Sequence, residues 1–197
     1  MTVQLQTRNQ VSLDLGPSTI QGWTARPVDA TSAVEFATRY EEASGNSVQP
    51  SMILDGRSRG FWRNGRMVAG YRVGVGARRY AALAEPGAVA RWPFAPEEAV
   101  EITHLWMDAE LPVGARRQVY AWMVADVMGS GRQIVVGGAV DPVLARQQMR
   151  SLPFLLEERA TSMSGRDVTL WLYYGTITTM LADAVATGVP VPWLGMR

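Results

Sequence analysis

The chain has 197 residues, 47% apolar and 19% charged, with a net charge of +1. That is enough for one domain with a real core and too little for two. The absence of Cys excludes disulfides, thiolate metal sites and cysteine nucleophiles, and the single His104 excludes any site built on two imidazoles, so no metal is expected. A Ser-His-Asp hydrolase would need His104 as its base, and no Gly-x-Ser-x-Gly elbow presents a serine to it. No apolar stretch reaches the ~20 residues of a membrane span and the first twenty residues lack the pattern of a signal peptide, so a cytoplasmic location is expected. The near-zero net charge does not favour a nucleic-acid partner. The chain is also lysine-free: all nineteen basic residues are Arg, which removes Schiff-base and P-loop lysines.

In chain order, residues 1–19 form a polar leader, 20–187 one domain and 188–197 a Pro-rich tail. A strand runs from Ile20 to Arg26 and stops at Pro27; Ser32 with Glu35 reads as a capping box opening a helix with Ala33, Phe36, Ala37 and Tyr40 on one face. Ser44-Gly45-Asn46 ends it. Asn64-Gly65, set between Phe61-Trp62 and Met67-Val68, predicts a type I′ hairpin. The irregular stretch from Val75 to Glu98, which holds Arg78 and Arg79, is long for a connection and is expected to be functional or partly helical.

Residues 100–107 then read as a buried strand, and a turn at 112–117 leads into a helix with Tyr120, Met123, Val124, Val127 and Met128 on one stripe. Gly129-Ser130-Gly131 ends that helix before a short strand at 133–136. Asp141 as N-cap and Pro142 at the first position start another helix, through about Ser151. Strands at 154–160 and 167–174, joined at Ser164-Gly165, and a helix near 176–186 complete the order. Alternating strands and helices beside hairpins predict an α/β fold with a mixed, mostly antiparallel sheet.

Strict alternation along the central strand would send Glu101, Thr103, Leu105 and Met107 to one face and Ile102, His104 and Trp106 to the other. Glu101 and His104 are the candidate bases. Each has a plain alternative: Glu101 paired with an Arg, His104 donating to a backbone carbonyl. Arg57, Arg59, Arg63 and Arg66 cluster about the hairpin as a surface for an acidic carrier protein, or as an ordinary solvated face. The seven Trp and ten Met point to a generous apolar cavity or to plain core.

This order resembles the GCN5-related N-acetyltransferase superfamily. Thr24-Ala25-Arg26-Pro27-Val28-Asp29-Ala30 is similar to its first strand and turn. Pro142, Ala145, Met149, Pro153 and Phe154 match the spacing of N-x-x-A-x-x-x-Y-x-x-x-G-F, with Met149 where many members carry a proton-donating Tyr. Pro112-Val113-Gly114-Ala115-Arg116-Arg117 sits where the family's pyrophosphate loop lies and keeps its first glycine. A second resemblance, covering about 60–160, is to the acyl-homoserine-lactone synthases: Val100 to Asp108 keeps the Glu and Asp of W-E-x-S-R-F-x-V-D, and Val140-Asp141-Pro142-Val143-Leu144-Ala145-Arg146 is similar to V-x-x-P-x-M-E-R.

The resemblance implies an acyltransferase carrying an acyl group from acyl-CoA or an acyl carrier protein (ACP) to a small-molecule amine. It implies Glu101, His104 and Tyr173 as catalytic residues, Tyr173 replacing the Tyr absent at 149. It also implies donor contacts at Leu105, Met107, Gly114, Ala115, Arg116, Arg117 and Ala145. A non-catalytic binding protein on the same fold and a nucleic-acid-modifying transferase are the alternatives, and a homodimer is left open.

Overall fold

The computed structural model describes residues 18–20, 22–163 and 165–190. Most of the expected leader and tail lies outside them. Eight strands form one sheet: β1 (Ser18–Ile20), β2 (Trp23–Pro27), β3 (Arg57–Arg63), β4 (Arg66–Val75), β5 (Ala99–Met107), β6 (Ile134–Ala139), β7 (Phe154–Met163) and β8 (Arg166–Thr176). Their order across the sheet is β1-β2-β3-β4-β5-β6-β8-β7, and every pairing is antiparallel except β5 with β6. The expected mixed, mostly antiparallel α/β sheet is present.

Helices cover both faces. On one lie α1 (Ala30–Ser44), α2 (Pro50–Leu54) and α3 (Arg78–Leu83); on the other lie α4 (Val113–Met128), α5 (Pro142–Gln148) and α6 (Ile177–Ala186). Under α1, Phe36, Ile53, Trp62, Met67 and Trp106 form a closed cluster. The stripe Met123, Val124 and Val127 of α4 is buried as its period requires, against Tyr71, Val100 and Val135 of the sheet. The long connection from β4 to β5 is not an open loop. It folds into α3 and short 3-10 turns at Val89–Arg91 and Pro96–Glu98, and it buries Tyr80, Trp92 and Phe94 over β6 and β8.

Local chemistry fixes most boundaries. Asn64 and Gly65 both have positive φ, at 52° and 78°, as the type I′ turn demands. Asp141 caps α5 by accepting from the amides of Val143 and Leu144, both at 2.8 Å. Two expectations are corrected. The N-cap of α1 is Asp29, not Ser32: its carboxylate accepts the Ser32 amide at 2.8 Å, and Ser32 closes the box from the third helical position. Glu35 is thereby released to reach the sheet, where it accepts from Met67 N at 2.8 Å and Trp62 Nε1 at 3.2 Å. Helix α5 ends at Gln148, three residues before Ser151, because Leu152 turns into the core.

The expected Arg cluster at the hairpin is also corrected. Arg59 is buried beneath α4, where its guanidinium makes a bidentate pair with Asp126 at 2.8 and 2.9 Å, joined by the Tyr71 hydroxyl at 2.6 Å. Arg63 lies over the Trp23 ring and Arg66 is drawn towards Asp108. The four guanidiniums do not form one basic patch.

Candidate active site

Strands β5 and β6 run parallel but pair only at Ala99 with Ile134, Val100 with Val135 and Glu101 with Val136. Beyond that point β5 stays with β4 as far as Met107, while β6 stays with β8 as far as Ala139. The two strands therefore diverge, and a split opens between Ile102–Met107 and Gly137–Ala139. Backbone groups facing it have lost the ladder that would satisfy them.

A bulge sits on the β5 side of the split. Against β4 the register passes from Gly70 opposite Trp106 to Arg72 opposite Thr103, so His104 and Leu105 together face Tyr71. His104 takes up the extra residue with φ of 52°, a left-handed conformation uncommon outside Gly and Asn. This overturns the strict alternation expected for the strand. Ile102, Leu105 and Met107 pack with the core under α4, while Trp106 meets Phe36 of α1 edge to face, ring centroids 6.0 Å apart. Glu101 and His104, expected on opposite faces, both look towards α1 and α3.

Glu101 is fully engaged. One carboxylate oxygen accepts from Arg72 Nη1 at 3.0 Å and the other from the Arg79 amide at 2.9 Å. Arg72 also donates to Thr103 Oγ1 at 3.3 Å and to the Asp55 carbonyl at 2.7 Å through Nε. This is the plain alternative for Glu101, an Arg partner. His104 does not follow its own plain alternative. The ring is 5% exposed, both nitrogens are buried, and neither has a hydrogen-bond partner. Tyr40 of α1 stands edge-on to it with centroids 5.0 Å apart. Burial, then the charges of Arg79 and Arg72, push its pKa down to about 3, so the imidazole is neutral at physiological pH.

Two tyrosines meet the split from opposite faces, which requires the Gly137-Gly138 pair. A Cβ at Gly138 would come within 2.7 Å of the Tyr80 ring, and one at Gly137 within 2.8 Å of the Tyr173 ring. Tyr80 donates its hydroxyl at 2.7 Å to the carbonyl of Ile102, the first β5 residue past the paired segment. Tyr173 donates to Gln148 Oε1 on α5. Burial holds both phenols above their ordinary pKa, and the charges of Tyr173 and Glu101 raise Tyr80 further. Both are neutral donors. Sequence reasoning named Tyr173, read Tyr40 only as part of the apolar face of α1, and did not single out Tyr80 or place Arg79, because α3 is six residues long and carries no readable period.

On the α4 side, the helix begins after Pro112 with no side-chain cap, so the amides of its first turn ahead of Arg116 lack intrahelical partners. Gly114 is exposed and open. Arg116, expected to face an anion, folds back on its own loop and donates to the carbonyls of Leu111 at 2.9 Å and Ala109 at 2.6 Å. Arg117 lies beside Gly188. Ala145 is buried in the core under α5. Below the start of α4 is a cavity of about 300 Å³, walled by Trp23, Ala25, Phe61, Leu111, Ala115, Val119 and Trp122, with Gln118 as its one side-chain amide.

The fold as a whole is similar to that of solved structures. A putative acetyltransferase from Salmonella typhimurium, solved with acetyl-CoA, is 14% identical with a TM-score of 0.55, over 80% of this chain and 95% of that one. An N-acyl amino acid synthase from uncultured soil microbes is 10% identical with a TM-score of 0.59, over 88% and 98%. A GCN5-related N-acetyltransferase from Brucella melitensis is 8% identical with a TM-score of 0.55, over 92% and 88%. The chain has the GCN5-related N-acetyltransferase fold. A polyamine N-acetyltransferase from Drosophila melanogaster shares this fold at 12% identity and a TM-score of 0.54, over 78% and 99%. Neither a family model nor a curated protein matches the sequence. Among the described residues, no helix is long and apolar enough to cross a membrane.

Proposed function

We propose that the chain is an N-acyltransferase that moves an acyl group from a pantetheine thioester to the amine of a small molecule. The observation that carries this is the split. An extended arm with amide groups along it fits between two diverging strands, where it takes over backbone partners that β5 and β6 no longer offer each other. The uncapped first turn of α4, at Gly114 and Ala115, lies where a phosphate at the end of the arm gains from free amides and the helix dipole. Leu105 and Met107, on the β5 wall of the split, flank the arm.

In the transfer, the amine nitrogen bonds to the thioester carbon, the carbon–sulfur bond breaks, and the proton shed by nitrogen balances the charge left on sulfur. Tyr80, whose one hydroxyl proton is given to the Ile102 carbonyl in the empty site, turns it to the oxygen or sulfur on which charge develops. Neutral His104 accepts from the amine N–H and orients its lone pair. With a pKa near 3 in the empty site it is too weak a base to take the proton outright. In this reading Glu101 is a positioning residue, fixing Arg72 and the first turn of α3, and Tyr173 fixes α5 through Gln148. Coenzyme A and a carrier protein present the same arm.

The test is thiol release from acetyl-CoA, octanoyl-CoA and octanoyl-ACP with a panel of amines, alongside thermal unfolding with each donor. A donor at a hundred times its Kd raises the midpoint by roughly 5–10 °C. Turnover with any donor supports the proposal. No turnover and no shift with all three would sink it.

A further inference from the structure

The polar groups on the α1 and α3 side of the split are unbalanced. Of the guanidiniums that are at least half-buried among the described residues, those of Arg39, Arg57, Arg59, Arg72, Arg116 and Arg159 each meet a carboxylate or carbonyl oxygen. Arg79 is also half-buried, and its side chain meets none. The carboxylate of Glu101, which meets the Arg79 amide, is spent on that bond and on Arg72. That same amide bond pins the first turn of α3 to β5, so the free guanidinium is presented from a fixed base.

What it is presented to is the second observation. The charge of Arg79 reaches the His104 imidazole and the Tyr80 phenol. His104 is 5% exposed, holds a strained left-handed backbone, and leaves both nitrogens without partners. The unpaired cation on α3 and the orphan neutral acceptor on β5 lie on the same side of the sheet, and together they lack two things: an anion and a hydrogen-bond donor. One molecule supplies both.

We propose that the acceptor is an amino acid, its carboxylate held by Arg79 and its amine directed to His104. This rests on the acyltransfer reading for the reaction, and on the structure alone for the anion site. The guanidinium fork of Arg79 suits a carboxylate bidentately. The amine then lies against His104 and within the split, where the thioester carbon arrives. Once Arg79 is neutralised, the imidazole loses one of the two cations that depress it. Tyr40 from α1 stands against that ring, and the charges acting on it are those of Arg79 from α3 and Arg72 from β4, the latter paired with Glu101.

The test uses the full chain with octanoyl-CoA or acetyl-CoA and a matched set of acceptors: phenylalanine, phenylalaninamide, phenethylamine and phosphoethanolamine. The expected result is kcat/KM for phenylalanine at least about tenfold above the amide and the amine, since a charge-assisted bond is at stake. Arg79→Met should remove that preference, bringing kcat/KM for phenylalanine down to that for phenethylamine measured in the same variant, and Arg79→Lys should restore part of it. Equal use of acid, amide and amine overturns the proposal, as does preference for phosphoethanolamine. Binding is read separately by NMR: His104 is the only histidine, so its ring protons report the site without background. Phenylalanine should shift them and raise the apparent pKa in the wild type and not in Arg79→Met. If no thioester turns over but this Arg79-dependent binding is seen, the acyltransfer reading falls and the anion site stands. Turnover without carboxylate preference or Arg79-dependent binding overturns the anion site and leaves acyltransfer standing, and absence of both turnover and binding overturns both.

Discussion

A buried imidazole with two unsatisfied nitrogens costs stability that the rest of the fold must supply, of order 1–3 kcal/mol for each orphan group. His104 bears that cost on a backbone conformation that is itself strained. Its pH signature follows from the direction of the shift. The unfolded chain takes a proton on this ring below about 6.5 and the folded chain refuses it down to about 3, so stability is intact above pH 6.5 and falls as the pH drops through that window. Between pH 7 and pH 5 the wild type should lose about 2 kcal/mol more than His104→Asn, whose side chain tolerates positive φ. Urea unfolding at the two pH values measures this, and identical losses would contradict it. Tyr80 invites a separate substitution. Tyr80→Phe keeps the ring on Gly138, leaves the Ile102 carbonyl without its partner, and should lower kcat about a hundredfold with little change in KM. A variant with full kcat would remove Tyr80 from the reaction.

At the scale of elements, α4 is held to the sheet by a buried ion pair as well as by its apolar stripe. Asp126→Asn leaves Arg59 charged and uncompensated, and should cost about 3–5 kcal/mol in denaturant unfolding. The mouth of the same helix tests the donor site: Ala115→Phe crowds the first-turn amides and should raise KM for acetyl-CoA and octanoyl-CoA alike by about tenfold in steady-state kinetics. What could be read from the sequence divides along the same line. The Asn64-Gly65 hairpin, the Asp141-Pro142 helix start and the Met123–Val127 stripe announce themselves because each is set by residues within a few positions of one another. The bulge does not. A histidine gives no local sign that it will adopt positive φ, and this single extra residue reverses the facing of Leu105, Trp106 and Met107 and brings His104 round to the side of Glu101. Arg79 and Tyr80 were hidden differently, since their partners Glu101 and Ile102 lie 22 residues away and α3 is too short to carry a pattern.

Across the whole molecule, helices on two faces clamp a sheet whose halves are unequal: β1 to β5 under α1, α2 and α4, and β6 to β8 with α3, α5 and α6 against them. Within the sheet those halves pair at three residue positions, all at the N-terminal end of β5, and α3 adds the Arg79 amide to Glu101 and the Tyr80 hydroxyl to Ile102; behind the sheet Ala121 of α4 packs with Ala184 of α6. Mechanically this is a pair of jaws with its pivot at Ala99–Glu101 and a single latch beyond it. Opening by a few degrees at the pivot widens the tips without breaking any strand ladder, and the packing of α4 on α6 limits how far it goes. Deuterium uptake should therefore be fast at the β5 amides that point towards β6 beyond Glu101, slow throughout the β4 ladder, and faster still when the latch is removed in Tyr80→Phe. Grip on the donor would then be governed by how far the jaws stand apart at rest.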